Sequence, residues 1–345
     1  MSSRPLRIGL IGVGGIAGLH RDGYLAAGAD VVALADVHAP TLAARAGAWG
    51  VTRTFADYRE MLTAGDVDAV SICAPTSEHH PATLAAAAAG VHVLCEKPVA
   101  LDLRQADEMI AACRDAGVLL MVNHQLRSHA AGDLARRMLT DGVLGELTHV
   151  RLRQAHDWAG AREVKASFAT RAMAGGGTLL DNGCHLMDLA RFLGGDVQDV
   201  FARVARRKFA AEVEDTAHVS LSFRDGAIGT VEVAWTATGW EEGWWLYGTE
   251  GTFEFSNRTG TPIVRHAHRS SPGTTWGDTD VTEHRFAGFS AHARNVQAFL
   301  QAIRGERELV CTGEDGREAV RLILASYESA RLGQPVRARG DFAPL

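Results

Sequence analysis

The feature that most constrains this chain is a six-residue string near its start, Gly12-Val13-Gly14-Gly15-Ile16-Ala17, set between two segments of different period. Arg7–Ile11 is a short apolar run that predicts a strand, and Ile16–Ala27 predicts a helix. A G-x-G-x-x-G/A string in that context reads as the phosphate-binding turn of a dinucleotide fold. Gly12 permits the tight turn, Gly14 lets the backbone approach a pyrophosphate, and Ala17 keeps the helix close to the sheet. The helix start offers free N–H groups and its positive dipole end to phosphates. Asp36 ends the next strand, Val31–Ala35. A carboxylate there accepts both ribose hydroxyls of NAD and repels the 2′-phosphate of NADP. Val37 and His38 follow, with no Arg, so NAD is expected over NADP. A tightly packed glycine turn, or an FAD or SAM site, are the competing readings.

The rest of the first third repeats the strand–helix alternation. Helices are expected at Ala39–Trp49, Glu78–Ala89 and Leu103–Ala116, with apolar strands at Ala69–Cys73, Val91–Leu94 and Val118–Val122. Continuous apolar strands separated by helices predict parallel strands covered on both faces. Residues 1–122 are therefore expected to form a doubly wound parallel α/β domain.

Residues 123–345 follow another pattern. After a helix-like stretch, Ala130–Leu139, and a strand, Leu147–Arg153, apolar Ala217, Val219, Leu221 and Phe223 alternate with polar residues. Val231, Val233 and Trp235 alternate likewise, Phe253 and Phe255 flank Glu254, and Arg224–Ala227 reads as a hairpin turn. Period-two alternation predicts an α+β domain with an open, mainly antiparallel sheet. His292–Ile303 and Glu314–Ser329 read as closing helices, and Arg269–Asp280 as a surface loop.

Composition narrows the function classes. Over 345 residues the net charge is −6, which argues against a general binder of nucleic acid or anionic membrane. No apolar run approaches the ~18–20 residues of a membrane-spanning helix. The N-terminus enters a strand instead of a secretory signal. Five widely spaced cysteines without a Cys-x-x-Cys pair indicate neither a zinc site nor a disulfide framework. A reduced, cytoplasmic setting is expected.

Two constellations carry chemistry. Cys95-Glu96-Lys97-Pro98 closes the fifth strand of the first domain, and ligands of doubly wound sheets sit outside the carboxyl ends of strands. Lys97 is thereby delivered toward a nicotinamide; a Lys–Glu surface pair is the bland alternative. Asp181 and His185 follow the glycine run Gly175–Gly177 at spacing i, i+4, which places them on one helical face. The carboxylate orients an imidazole that serves as general acid/base. An ordinary Asp–His pair is the alternative. Asp188 permits a metal reading, but no second ligand cluster stands out and none is expected.

Taken together, these pieces resemble the Gfo/Idh/MocA oxidoreductases. The anchors are Gly12–Ala17, Ala74-Pro75-Thr76-Ser77-Glu78-His79, Glu96-Lys97-Pro98, Gly175–Asp188, Glu214-Asp215-Thr216-Ala217 and Gly248–Thr252. The resemblance implies Gly12, Gly14, Gly15, Ile16, Ala17, Asp36, Pro75, Glu96 and Lys97 as NAD-binding residues. It implies Lys97, Asp181 and His185 as catalytic residues acting on a secondary hydroxyl of a sugar or cyclic polyol. His185 takes the hydroxyl proton and Lys97 steadies the oxygen; Lys97 itself is the alternative base. Arg127, His156 and Trp158 match segments that line the substrate site, although a solvated arginine and a plain strand corner fit as well. A homodimer or homotetramer is expected from the family habit.

The tryptophan cluster Trp240, Trp244 and Trp245 fits core or subunit interface better than sugar stacking. The basic run Arg203, Arg206, Arg207 and Lys208 fits a solvated turn better than a phosphate clamp, which favours a free sugar. Three other functions stay in view. One is an enzyme with permanently bound NAD that transiently oxidises a sugar to permit glycosidic cleavage or elimination. Another is a sugar-nucleotide ketoreductase, and the third is a non-catalytic regulator.

Overall fold

A computed structural model describes residues 4–157, 170–258, 263–269, 279–285 and 290–343. The chain divides into two compact units: residues up to Ser128 with Ser290–Val320, and His129–Phe289 with Arg321 onward. The expected division at residue 122 thus omits a returning segment.

The first unit is a six-stranded parallel sheet in the order β3-β2-β1-β4-β5-β6. Its strands are β1 (Arg7–Ile11), β2 (Asp30–Ala35), β3 (Arg53–Phe55), β4 (Ala69–Ile72), β5 (His92–Cys95) and β6 (Leu120–Val122). Helices α1 (Ala17–Ala26), α2 (Ala39–Trp49), α3 (Tyr58–Thr63), α4 (Thr76–Ala88) and α5 (Leu103–Asp115) connect them. β3 and α3 escaped the sequence reading. β3 is a three-residue edge strand paired only with β2, too short to show a period. The order reverses between β1 and β4, the switch point where such sheets bind ligands.

Helix Ala291–Ile303 completes this unit. Val296, Phe299 and Leu300 are fully buried in one cluster with Ile8, Leu10, Tyr24 and Leu34. Burying each such side chain contributes about 1.5–3 kcal/mol. The sequence reading found the helix; its packing partner was not encoded locally.

The second unit is built on a nine-stranded sheet, ordered β14-β13-β12-β11-β7-β10-β9-β8-β15. Its strands are β7 (Leu147–Ala155), β8 (Val197–Ala205), β9 (Thr216–Phe223), β10 (Ile228–Ala234), β11 (Glu241–Gly248), β12 (Gly251–Ser256), β13 (Ile263–Arg269), β14 (Thr279–Arg285) and β15 (Val336–Arg337). Every neighbouring pair is antiparallel except β7 with β10. Arg269, Thr279 and Asp280, expected in a loop, belong to β13 and β14; residues 270–278 of that stretch lie outside the described residues. Leu152, Val150, Val231, Val233, Trp244 and Leu246 are buried on one face. Strand alternation splits the tryptophan cluster: Trp244 is buried, whereas Trp245 lies under the Arg151 guanidinium, 4.9 Å from its ring centre.

No helix among the described residues is long and apolar enough to cross a membrane.

Candidate active site

In the first unit, the phosphate-binding turn leaves the carboxyl end of β1. Gly12 has φ +81°, and a Cβ there would lie 2.7 Å from the Ala74 backbone nitrogen, so only glycine fits. That close approach also sets Ala74-Pro75, the entry to α4, beside the turn. Nothing lies within 4 Å of where a Cβ would stand on Gly14 or Gly15, and both residues are exposed. The turn is therefore open on the side a pyrophosphate would occupy, at the amino end of α1.

Asp36, at the end of β2, accepts hydrogen bonds from the Val13 and His38 backbone N–H groups, each at 2.8 Å. The carboxylate is thus fixed against the glycine turn, with acceptor capacity left for ribose hydroxyls. These residues fit NAD. The sequence reading overlooked Arg45, whose Nε donates to the Val13 carbonyl at 3.2 Å while its guanidinium lies over Trp49.

Glu96 follows β5 and is buried. One carboxylate oxygen meets His20 Nε2 at 2.7 Å and accepts from the Asn123 amide; the other accepts from the Lys97 backbone N–H at 3.2 Å. His20 Nδ1 lies 3.0 Å from Ser71 Oγ, which is 2.7 Å from the Tyr24 hydroxyl. Burial opposes the charged imidazole, but Cys73 and Glu96 outweigh it and raise the His20 pKa to about 10. Burial likewise opposes the Glu96 charge, but His20 and then Lys97 hold the carboxyl well below the usual range. A charged His20 donates from both ring nitrogens, which satisfies Glu96 and Ser71 together.

The chain of donors continues in one direction. Asn295 donates to Asn123 Oδ1 at 2.7 Å, and Ser128 Oγ donates to Asn295 Oδ1 at 2.8 Å. His79 sits between the Pro98 and Ala74 carbonyls, at 2.8 and 3.0 Å; burial lowers its pKa, so the neutral ring donates to one of them and packs against the other. Sequence reasoning missed His20, Asn123 and Asn295. Their only local signal was polar residues within apolar segments.

Arg127 is buried, and its Nη1 donates to the Val310 carbonyl at 3.1 Å and to Asp315 at 2.9 Å. Those contacts tie the short helical turn Gln125–Ser128, which follows β6, to the returning segment.

In the second unit, Asp181 and His185 fall on successive helical segments, Thr178–Asp181 and Gly183–Gly194, joined at Asn182. The His185 N–H bonds the Asn182 carbonyl, three residues back, so the ladder tightens there. His185 is buried and Asp181 half-buried. Glu214 fixes the start of this segment: its carboxylate accepts from the Gly177 and Leu179 N–H groups, at 3.1 and 2.9 Å, and from the Tyr327 hydroxyl at 2.8 Å. Burial pushes the Glu214 pKa up against those three bonds.

Asp215 plays a separate part. Its carboxylate accepts from the Arg207, Lys208 and Phe209 backbone N–H groups at 2.7–3.1 Å. The basic run is a turn wrapped around an anion that the chain supplies itself. Burial works against the Asp215 charge, but these donors hold its pKa low.

His156 directly follows β7 and is buried, with Nε2 2.8 Å from the Asn182 amide nitrogen. Trp158 lies outside the described residues. Among the described residues, no group of three or more His, Cys, Asp or Glu side chains is arranged to hold a metal.

Residues 6–124 match a family model described as "Oxidoreductase family, NAD-binding Rossmann fold", and residues 133–254 match the GFO/IDH/MocA C-terminal domain. The chain is 33% identical over 332 residues to the 1,5-anhydro-D-fructose reductase of Ensifer adhaerens, covering 95% of this chain and 97% of that one. The chain belongs to the Gfo/Idh/MocA oxidoreductase family. A second relative, the D-apiose dehydrogenase of Paraburkholderia graminis, is 31% identical over 331 residues, covering 90% of this chain and 84% of that one. A solved levoglucosan dehydrogenase in complex with NADH has the same fold, with a TM-score of 0.90 at 23% identity over 97% of this chain and 99% of that one.

Proposed function

We propose that this Gfo/Idh/MocA protein is an NAD-dependent dehydrogenase acting on a secondary hydroxyl, or the corresponding ketone, of a sugar or cyclic polyol. The observation that carries this reading is the gathering of an open glycine turn, Asp36 and the Glu96–Lys97 turn at the carboxyl ends of β1, β2 and β5. The names of the two relatives, both sugar oxidoreductases, support the substrate class.

Gly12, Gly14, Gly15, Ile16 and Ala17 hold the pyrophosphate, Asp36 the ribose, and Pro75 and Glu96 flank the nicotinamide side. Bound NAD supplies the acceptor for the hydrogen and electron pair that leave the carbinol carbon. Lys97 donates a hydrogen bond to the reacting oxygen and stabilises its developing negative charge. His185 accepts the hydroxyl proton and returns it in the reverse direction, while Asp181 orients the imidazole. His156 and Trp158 contact the sugar. Arg127 acts as a brace through Asp315 and Val310.

A cytoplasmic homodimer or homotetramer completes the proposal. The outer face of the second sheet suits it, with Ile228 exposed and the His149 and Tyr247 rings stacked beside it.

The test is absorbance at 340 nm with NAD, and separately NADP, across inositols, aldoses and anhydrosugars. NADH formation with one group is expected. A silent panel with no dinucleotide bound by the protein overturns the reading. A silent panel with NAD released on denaturation replaces exchange by a permanently held cofactor.

A further inference from the structure

Trp240 keeps 57% of its surface exposed, a high value for the largest side chain, yet it is held on two sides. Its indole lies flat on the His156 ring, with centroids 4.9 Å apart and planes 6° from parallel. Its N–H donates to the buried Glu242 carboxyl, which also accepts from Gln154 Nε2 at 3.3 Å. Gln154 and Glu242 face each other across β7 and β11, so the sheet itself carries the anchor.

An indole fixed by one edge and one face, and still more than half exposed, presents its other face to solvent. An ordinary surface tryptophan has no reason to spend a buried carboxyl on its orientation. Desolvating that carboxyl costs free energy, and the cost persists only where the geometry it secures is used. His156 is hydrogen-bonded to Asn182, the neighbour of Asp181. The His156 ring edge meets that segment and its flat face carries the indole, so the outer indole face stands to one side of His156. A group stacked there would neighbour a sugar held at the His156 edge.

We propose that the outer face of Trp240 is a stacking subsite for a second ring of the substrate, a glycosyl residue or a cyclic aglycone attached to the sugar being oxidised. Pyranose rings carry axial C–H groups on one face, which pack on an aromatic plane while the hydroxyls point outward. The inference rests on the functional reading above, and it narrows the substrate class from free sugars toward glycosides.

The test compares kcat and KM for a monosaccharide and its disaccharide or phenyl glycoside, in wild type, Trp240→Ala and Trp240→Phe. The subsite predicts that Trp240→Ala lowers kcat/KM for the two-ring substrate about tenfold, through KM, as expected for the loss of one aromatic contact. The monosaccharide changes less than about twofold, and Trp240→Phe restores most of the loss. An equal loss for both substrates makes Trp240 only a brace for His156 and overturns the subsite, as does no loss at all. Tryptophan emission, titrated with the disaccharide, separates the two readings. A response that Trp240→Phe abolishes, in a protein that reduces no NAD, keeps the subsite and removes the dehydrogenase. A response equal in both proteins, or none, overturns the subsite.

Discussion

Gly177 and Glu214 lock the start of the segment that carries Asp181 and His185. The Gly177 N–H donates to the Glu214 carboxylate, the Thr178 N–H donates to the Glu214 carbonyl at 3.0 Å, and a Cβ on residue 177 would overlap that carbonyl. The overlap is with backbone, so no rotamer change relieves it. Gly177→Ala is expected to destabilise the protein by ~3 kcal/mol or more and to lower kcat. Thermal melting and steady-state rates check this; a variant that melts and turns over like wild type contradicts the lock.

His20 and Glu96 form a buried ion pair in which His20 is the largest favourable influence on the carboxylate. His20→Ala leaves the carboxylate buried without its hydrogen-bonded cation and is expected to cost ~3–5 kcal/mol. Adding Glu96→Gln should recover part of that loss, since the uncompensated charge is gone. Urea unfolding of the two single variants and the double variant gives the coupling. Additive losses would show that the pair is not one unit.

The contrast between these two sites and the glycine turn shows what local sequence encodes. The turn, α1 and Asp36 lie within one strand–helix–strand stretch, and their spacing alone places them. Lys97 and the Asp181–His185 pair stand out in the sequence because each lies in a short motif. His20, Asn123 and Asn295 come from three distant segments, and only the folded first unit brings them to Glu96. β11 and β8 were passed over because clustered tryptophans and mixed polar residues hide their alternation, and β7 pairs β10 across more than seventy residues. Periodicity names the buried face of an element. It does not name the partner.

On the proposed function, Asp36 sets the choice of dinucleotide. Asp36→Asn removes the charge and keeps one of the two backbone hydrogen bonds, because Val13 and His38 donate to different carboxylate oxygens and an amide nitrogen cannot accept. The KM for NAD is expected to rise about tenfold, the worth of one charge-assisted hydrogen bond, and NADP should be tolerated better. Unchanged NAD and NADP kinetics would place the ribose elsewhere.

Glu242 makes stability depend on pH. Burial raises its pKa to about 7, with the Gln154 and Trp240 hydrogen bonds opposing the shift. The unfolded carboxyl titrates near 4.5, so between pH 4.5 and 7 the folded state holds a proton that the unfolded state has lost. Stability therefore falls as pH rises through that window, by up to ~3 kcal/mol. Glu242→Gln should flatten this part of the profile. Chemical denaturation at pH 5, 6, 7 and 8 measures it, and the same slope in both proteins would assign the effect to other groups.

The account turns on Lys97 acting at the sugar oxygen beside bound NAD. The direct measurement is NADH formation at 340 nm with the best sugar of the panel, in wild type and Lys97→Met, with NAD affinity measured on both. The expected result is sugar-dependent NADH formation that falls ~100–1000-fold in the variant, while NAD binding changes little. A Lys97→Met protein that reduces NAD at the wild-type rate contradicts the account.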